Sequence, residues 1–211
     1  FEIENLIEDF AVIKESSFSI DPGESKTISI DFIAREDIIP ELYLGKIIVK
    51  SGNQKKEILV AVEVESGGIL LDVRAEILEG YKEVLPGKEV LAEMRLFNLG
   101  GDAKRKDVLI EYIIRDYENN EIVKETESLA VETQASFIKR IDIPENAKIG
   151  RYVLYVRAIY NGKVASSSDN FKVVSSIMTA KERIYAIIII IFSLILSLII
   201  YIIIVKLITK N

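Results

Sequence analysis

Cysteine, histidine and tryptophan are all absent from this 211-residue chain. Without cysteine there are no disulfide bonds and no thiolate metal ligands. Without histidine the chain lacks the side chain that most often acts as a general base near neutral pH. These absences argue against the commonest catalytic and soft-metal sites. We therefore predict that the protein is not an enzyme, with no catalytic, cofactor-binding or metal-ligating residue and no cofactor.

A surplus of positive charge is also missing, since the formal net charge is −6. After Arg183 the only charged side chains are Lys206 and Lys210, so the preceding residues carry −8. Nucleic-acid binding needs clustered lysine and arginine, and a surface that lies flat on anionic lipid needs them too. The charge balance therefore argues against both partners.

One long apolar run stands out near the end of the chain. It begins at Ile184, ends at Val205 and holds about 22 residues without a charge. As a helix it would be roughly 33 Å long, enough to cross a hydrocarbon core of about 30 Å. Tyr185 and Tyr201 lie near its two ends, where aromatic rings suit the membrane interface. The run predicts a single transmembrane helix with the lipid bilayer as its partner.

The charges that flank this run do not decide its orientation. Lys181 and Arg183 precede it, and Lys206 and Lys210 follow it, so the positive-inside rule is balanced. The acidic upstream part and the short tail favour a cell-membrane protein with extracellular N-terminal domains and a cytoplasmic tail. A tail-anchored protein with cytosolic domains is the alternative.

Upstream of the run, apolar and polar residues alternate with period two between Gly, Pro and Asn turns, which is typical of half-buried strands. Asn161-Gly162 is a strong signal for a two-residue hairpin turn. The second half fits an immunoglobulin-like sandwich of seven or eight strands. The predicted strands lie at 27–32, 46–50, 58–65, 71–77, 90–96, 108–114, 122–126, 136–143, 152–160 and 171–174.

A weak internal repeat supports two domains of one type. An I-P-E motif at 39–41 precedes Tyr43, and the same motif at 143–145 precedes Tyr152. The first copy has far fewer residues before its motif, so we expect an incomplete first sandwich and a natural chain that extends upstream of Phe1. The predicted fold is all-β, with tandem immunoglobulin-like sandwiches followed by one C-terminal transmembrane helix. Its parts are a sandwich at 1–65, a linker at 66–68, a sandwich at 69–174, a juxtamembrane linker at 175–183, the helix at 184–205 and a tail at 206–211.

Two sets of turn and strand motifs carry a resemblance. P-G-E-S at 22–25 leads into the strand at 27–32 and is followed by Y-L-G-K-I-I-V at 43–49. This pattern resembles the repeated sandwich modules of archaeal and bacterial cell-surface proteins. The second unit, with L-P-G-K at 85–88 and F-N-L-G at 97–100, is similar to the CARDB class, a cell-adhesion-related domain. The resemblance implies an extracellular, repeated, non-catalytic module of the cell envelope or its S-layer, and it supplies no binding residues.

Two segments contain residue types that could support chemistry. The D-Y-E-N-N-E segment from Asp116 to Glu121 offers oxygen ligands to a hard cation such as calcium, and Asp169 beside three serines does so less well. A polar hairpin turn explains the first segment as well. Ser136 and Lys139 match an S-x-x-K motif, but a strand would place them on opposite faces, so we interpret the match as chance.

Two further pairs have a structural and a functional interpretation. Tyr43 and Tyr152 each begin a strand after a proline-containing corner, and a tyrosine-corner latch is favoured over stacking on a sugar. Ser193 and Ser197 form a small-x-x-x-small pair that could bring two helices together, or could bond to their own backbone. The sequence thus predicts a membrane-anchored, non-catalytic stalk or adhesion module with protein or glycan partners. The anchor region of a surface hydrolase and a cytosolic scaffold are the alternatives.

Overall fold

The structure is a computed structural model that describes residues 1–8, 10–35, 37–68, 70–100, 104–177, 185, 188–195 and 197. The chain divides into two compact units, Phe1–Ser175 and Ser176–Asn211. In the first unit the described residues form strands and a single 3₁₀ turn, Glu79–Tyr81, so the all-β prediction is confirmed.

Residues 1–63 form two small antiparallel sheets, which we call the N-terminal sheets. The larger has the strand order β1-β4-β5 and the smaller pairs β2 with β3. Their strands are β1 Glu2–Asn5, β2 Ala11–Ile13, β3 Ile30–Phe32, β4 Leu42–Ser51 and β5 Gln54–Glu63.

Residues 71–173 form a two-layer β-sandwich, which we call the C-terminal sandwich. One sheet has the order β11-β8-β6 and the other the order β10-β9-β12-β13-β7. All pairs are antiparallel except β13 with β7. The strands are β6 Leu71–Ile77, β7 Glu83–Val84, β8 Glu89–Asn98, β9 Lys106–Asp116, β10 Glu121–Val131, β11 Gln134–Asp142, β12 Gly150–Tyr160 and β13 Lys163–Val173.

Each sheet group has its own apolar core. The C-terminal sandwich buries the inward-facing residues of both its sheets, including Met94, Ile110 and Leu154. The core of the N-terminal sheets is smaller and centres on Ile7, Phe10 and Ile47. The predicted boundary at 66–68 falls between β5 and β6, but both groups belong to one compact unit. The division into two domains stays a prediction.

The turns follow the sequence signals closely. Asn161 and Gly162 both have positive φ, as a two-residue hairpin of type I′ requires, and they join β12 to β13. The β4–β5 hairpin turns at Gly52, where φ is +56°. Each I-P-E motif precedes a long hairpin, β4–β5 or β12–β13, whose first strand is central in its sheet.

The second compact unit is described by itself. Residues 185, 188–195 and 197 are helical. Within the described ranges, no helix combines the length and the apolar character that a membrane crossing requires. The other residues of the run from Ile184 to Val205, and the tail at 206–211, lie outside those ranges.

Candidate functional site

The N-terminal sheets pack against the outer face of the five-stranded sheet, and we call this contact the junction. It contains an apolar cluster with contributions from both sides. Leu42 and Leu44 of β4 are fully buried there, opposite Ile113 of β9 and Val153 and Tyr155 of β12. Burial of these side chains removes apolar surface from water and holds the two sheet groups together.

Half-buried charges border the apolar cluster. Glu41, just before β4, lies 3.4 Å from Arg115 and 3.9 Å from Arg157. Arg157 also pairs with Glu111 at 2.9 Å. The side chains of Arg115 and Arg157 are only 14% and 20% exposed. Because these guanidinium groups are largely removed from water, losing Glu41 would leave Arg115 with only Glu121, 3.8 Å away, whereas Arg157 would keep Glu111.

Three polar atoms lie buried at the junction without a hydrogen-bond partner in the described part of the chain. They are the Tyr155 hydroxyl, the Ser166 hydroxyl and Nε of Arg157. Burial raises the pKa of Tyr155, and the negative charge of Glu41 adds to the rise. These atoms share one patch of β12 and β13, so the junction is partly polar as well as apolar.

The predicted linker is fixed along the edge of β13. The amide of Ser66 donates to the carbonyl of Val164 at 3.1 Å, and the amide of Val164 donates to the Ser66 hydroxyl at 3.0 Å. Nζ of Lys163 donates to the carbonyls of Gly67 and Gly68 at 2.9 and 2.7 Å. These bonds attach the segment at 66–68 to the beginning of β13.

The polar stretch before Phe171 is part of β13, and its side chains bind the edge of β6. The amide of Ala75 donates to the Ser167 hydroxyl at 3.1 Å, and the amide of Ile77 donates to Asp169 at 2.7 Å. Lys82 pairs with the same carboxylate at 2.6 Å. Asp169, weighed above as a cation ligand, therefore satisfies backbone and lysine donors of the sandwich.

The segment from Asp116 to Glu121 folds as a polar turn. The Asp116 carboxylate accepts the amides of Glu118 at 3.0 Å and Asn120 at 2.8 Å, and also the side-chain amide of Asn120 at 2.9 Å. Glu121 lies 3.8 Å from Arg115. Among the described residues, no group of three acidic side chains could hold a metal ion.

Both tyrosines after the I-P-E motifs form the predicted latch. The Tyr43 hydroxyl donates to the carbonyl of Ile39 at 2.9 Å, and the Tyr152 hydroxyl donates to the carbonyl of Lys148 at 2.8 Å. In each case the acceptor lies four residues upstream. The Tyr43 ring packs edge-on against Phe10, with ring centroids 5.1 Å apart. The tyrosine-corner interpretation is therefore confirmed for both copies.

The two remaining motifs are also part of the local structure. Ser136 and Lys139 lie on strand β11, and Nζ of Lys139 lies 4.5 Å from the ring centroid of Tyr112. The hydroxyls of Ser193 and Ser197 donate to backbone carbonyls three residues upstream, at 2.8 and 2.9 Å. The serines thus bond to their own helix backbone, one of the two interpretations that the sequence left open.

A groove of about 370 Å³ opens beside the junction, where Leu59 of β5 meets the ends of β12 and β13. Arg151, Lys172 and Glu83 lie side by side across three neighbouring strands of its wall. The Tyr117 hydroxyl lies there too and donates to Asn170 at 2.6 Å. Neither this groove nor the group of charges around Glu41 is visible in the sequence, because the residues of each lie far apart in the chain.

No family model matches the chain, and no curated protein matches it. The solved structures with some likeness include a family 123 glycoside hydrolase from Clostridium perfringens, at 13% identity and a TM-score of 0.38, covering 53% of this chain and 28% of that one. A CARDB domain from Pyrococcus furiosus, in complex with di-metal ions, has 16% identity, a TM-score of 0.35, and coverage of 49% and 87%. The sporulation control protein Spo0M from Bacillus subtilis has 15% identity, a TM-score of 0.35, and coverage of 49% and 48%. With TM-scores below 0.5, these likenesses carry no argument about function.

Proposed function

We propose that the protein is a membrane-anchored, non-catalytic stalk or adhesion module of a larger cell-surface protein. The observation that carries the proposal is the junction, which joins both sheet groups into one compact unit through an apolar cluster and the charges around Glu41. A stalk must hold what it carries at a defined place, and a junction of this kind resists bending. The uncharged run from Ile184 to Val205 supports the anchor.

We further propose that the sheets are immunoglobulin-like and related to the CARDB class. In the C-terminal sandwich β8 lies between β6 and β11 in one sheet, and β12 lies between β9 and β13 in the other. This is the order of strands A-B-E and C-F-G in an immunoglobulin-like sandwich. Tyr152 lies near the start of β12, just after the connection from β11, where an immunoglobulin-like tyrosine corner is found.

A non-catalytic role is supported by how the candidate side chains are used. Asp116 and Asp169 accept backbone amides, and Tyr43 and Tyr152 donate to backbone carbonyls. Each of these groups stabilises a turn, a corner or a strand edge of the fold. Partners at the cell envelope would then bind to the outer surfaces of the sheets.

Cysteine labelling tests the proposed topology, because the chain has no native cysteine. Asn53→Cys places a thiol at the exposed tip of the β4–β5 turn, and Asn211→Cys places one at the last residue. In intact cells we expect a membrane-impermeant maleimide to label position 53 and not position 211. Permeabilised cells are the control, in which both positions should react. Labelling at 211 alone in intact cells would refute the stalk and support a cytosolic scaffold.

A further inference from the structure

The groove beside the junction carries a local positive charge on an acidic chain. Its wall contains Lys82, Arg151 and Lys172 against one acid, Glu83. Lys82 is paired with Asp169 at 2.6 Å, and Lys172 lies 3.7 Å from Glu83. Among the described residues, no carboxylate lies within ion-pair distance of Arg151, so its charge is the one that remains uncompensated in the groove.

The groove also contains a side-chain hydrogen-bond donor, the NH₂ group of Asn170. The Asn170 side chain accepts from the Tyr117 hydroxyl at 2.6 Å, and its NH₂ group donates to no described residue. Burial raises the pKa of Tyr117, and the Arg151 guanidinium nearby opposes part of that rise. Arg151 and Asn170 are both exposed, so the guanidinium and the Asn170 amide present donors to solvent, or to a ligand, next to the apolar side chain of Leu59.

We propose that this groove binds a carboxylate carried by an acidic sugar, with Arg151 holding the carboxylate and Asn170 donating to the sugar. A guanidinium presents two parallel N–H groups that match the two oxygens of a carboxylate. The inference rests on the proposed function, since it gives one ligand class for contacts of a stalk with the cell envelope.

Two properties of the groove favour a sugar over an acidic peptide. Its volume of about 370 Å³ lies at the lower end of small-molecule sites, which span about 300–1,000 Å³. The pair of Lys172 and Glu83 offers both donors and acceptors, as sugar hydroxyls require. A peptide with several acidic residues would instead meet Glu83 and a chain with a net charge of −6.

Titration followed by ¹⁵N NMR tests the site on the full 211-residue chain in mild detergent at low salt. The probes are glucuronate, glucose as the neutral match, and tri-aspartate as the acidic peptide. We expect glucuronate to shift amide signals around Arg151 and Asn170, and glucose to shift them far less. Arg151→Ala should weaken glucuronate binding by about tenfold or more, because it removes a bidentate charge-assisted pair. Lys56→Ala removes an exposed cation away from the groove and should leave binding unchanged.

Three results would overturn the inference. They are equal shifts with glucose and glucuronate, equal weakening by Lys56→Ala and Arg151→Ala, and tighter binding of tri-aspartate than of glucuronate. The signals of Tyr152 and its neighbours in wild type and Arg151→Ala report whether the variant is folded. If the titration fails but position 53 is labelled in intact cells, the inference about the groove is refuted and the proposed stalk function is not. If glucuronate binds in the groove but position 211 is labelled in intact cells, only the proposed stalk function is refuted.

Discussion

The two tyrosine corners allow one bond to be tested twice in the same chain. Tyr152→Phe and Tyr43→Phe each remove a single hydroxyl and keep the ring. The Tyr152 side chain is 3% exposed and bonds at 2.8 Å, whereas Tyr43 bonds at 2.9 Å from a more open position. The Tyr152 bond is partly buried, so removing the donor leaves the carbonyl of Lys148 less well satisfied, at a cost of about 1–2 kcal/mol. The Tyr43 bond is exposed, so the carbonyl of Ile39 can bond to water instead.

We therefore expect Tyr152→Phe to lower the free energy of unfolding by about 1–2 kcal/mol. Tyr43→Phe should lower it by roughly 0.5 kcal/mol or less. Urea denaturation followed by circular dichroism measures both losses. An unchanged dependence of the unfolding free energy on urea concentration (the m value) would show that the same transition is being compared. If the midpoint of urea unfolding is the same for Tyr152→Phe and wild type, the Tyr152 hydrogen bond does not stabilise the sandwich and the prediction is refuted. A larger loss for Tyr43→Phe would contradict the ranking by burial.

Two further predictions concern a glycine and the tyrosines. Gly45→Ala would place a Cβ in steric overlap with the Ile7 side chain and 2.7 Å from the carbonyl oxygen of Glu4. Urea denaturation should therefore show a loss of about 1–3 kcal/mol in the free energy of unfolding. Gly67→Ala meets no atom within 4 Å and should change stability little; equal losses would refute the packing argument. Burial raises the pKa of a set of tyrosines above 10, so the unfolded state ionises first and stability should fall as pH rises past about 10. These residues are Tyr43, Tyr112, Tyr117, Tyr152 and Tyr155. Unfolding measured from pH 8 to 11 tests this, and a flat profile would contradict it.

The strands with alternating apolar residues could be predicted from the sequence, and β13 shows where that signal ends. Its middle reads A-S-S-S-D-N, residue types common in turns, so the predicted strand began only near Phe171. In the structure β13 begins at Lys163. Ser167 and Asp169 are polar because they accept amides from β6, a contact between residues about 90 positions apart that periodicity does not report.

Short strands were missed for a related reason. β1, β2 and β7 have four, three and two residues, too few for an alternation to show. The junction did leave a signal in the sequence. The V-L-Y-V stretch at 153–156 of β12 is apolar without alternation, which indicates a strand that is covered on both faces. That pattern predicts a cover on the outer face but not which segment supplies it.

Strand β4 is also covered on both faces, and this determines how the two sheet groups depend on each other. Leu42 and Leu44 face the junction, whereas Tyr43 and Ile47 face the core of the N-terminal sheets. Moving β4 away from the C-terminal sandwich would expose the junction cluster, and distorting it would disturb the Tyr43 latch and the packing around Ile7. Because one strand serves both contacts, we expect bending of the N-terminal sheets away from the sandwich to disrupt both clusters. The proposed stalk would need such a shared strand, because it links residues 1–63 to the five-stranded sheet through packed side chains.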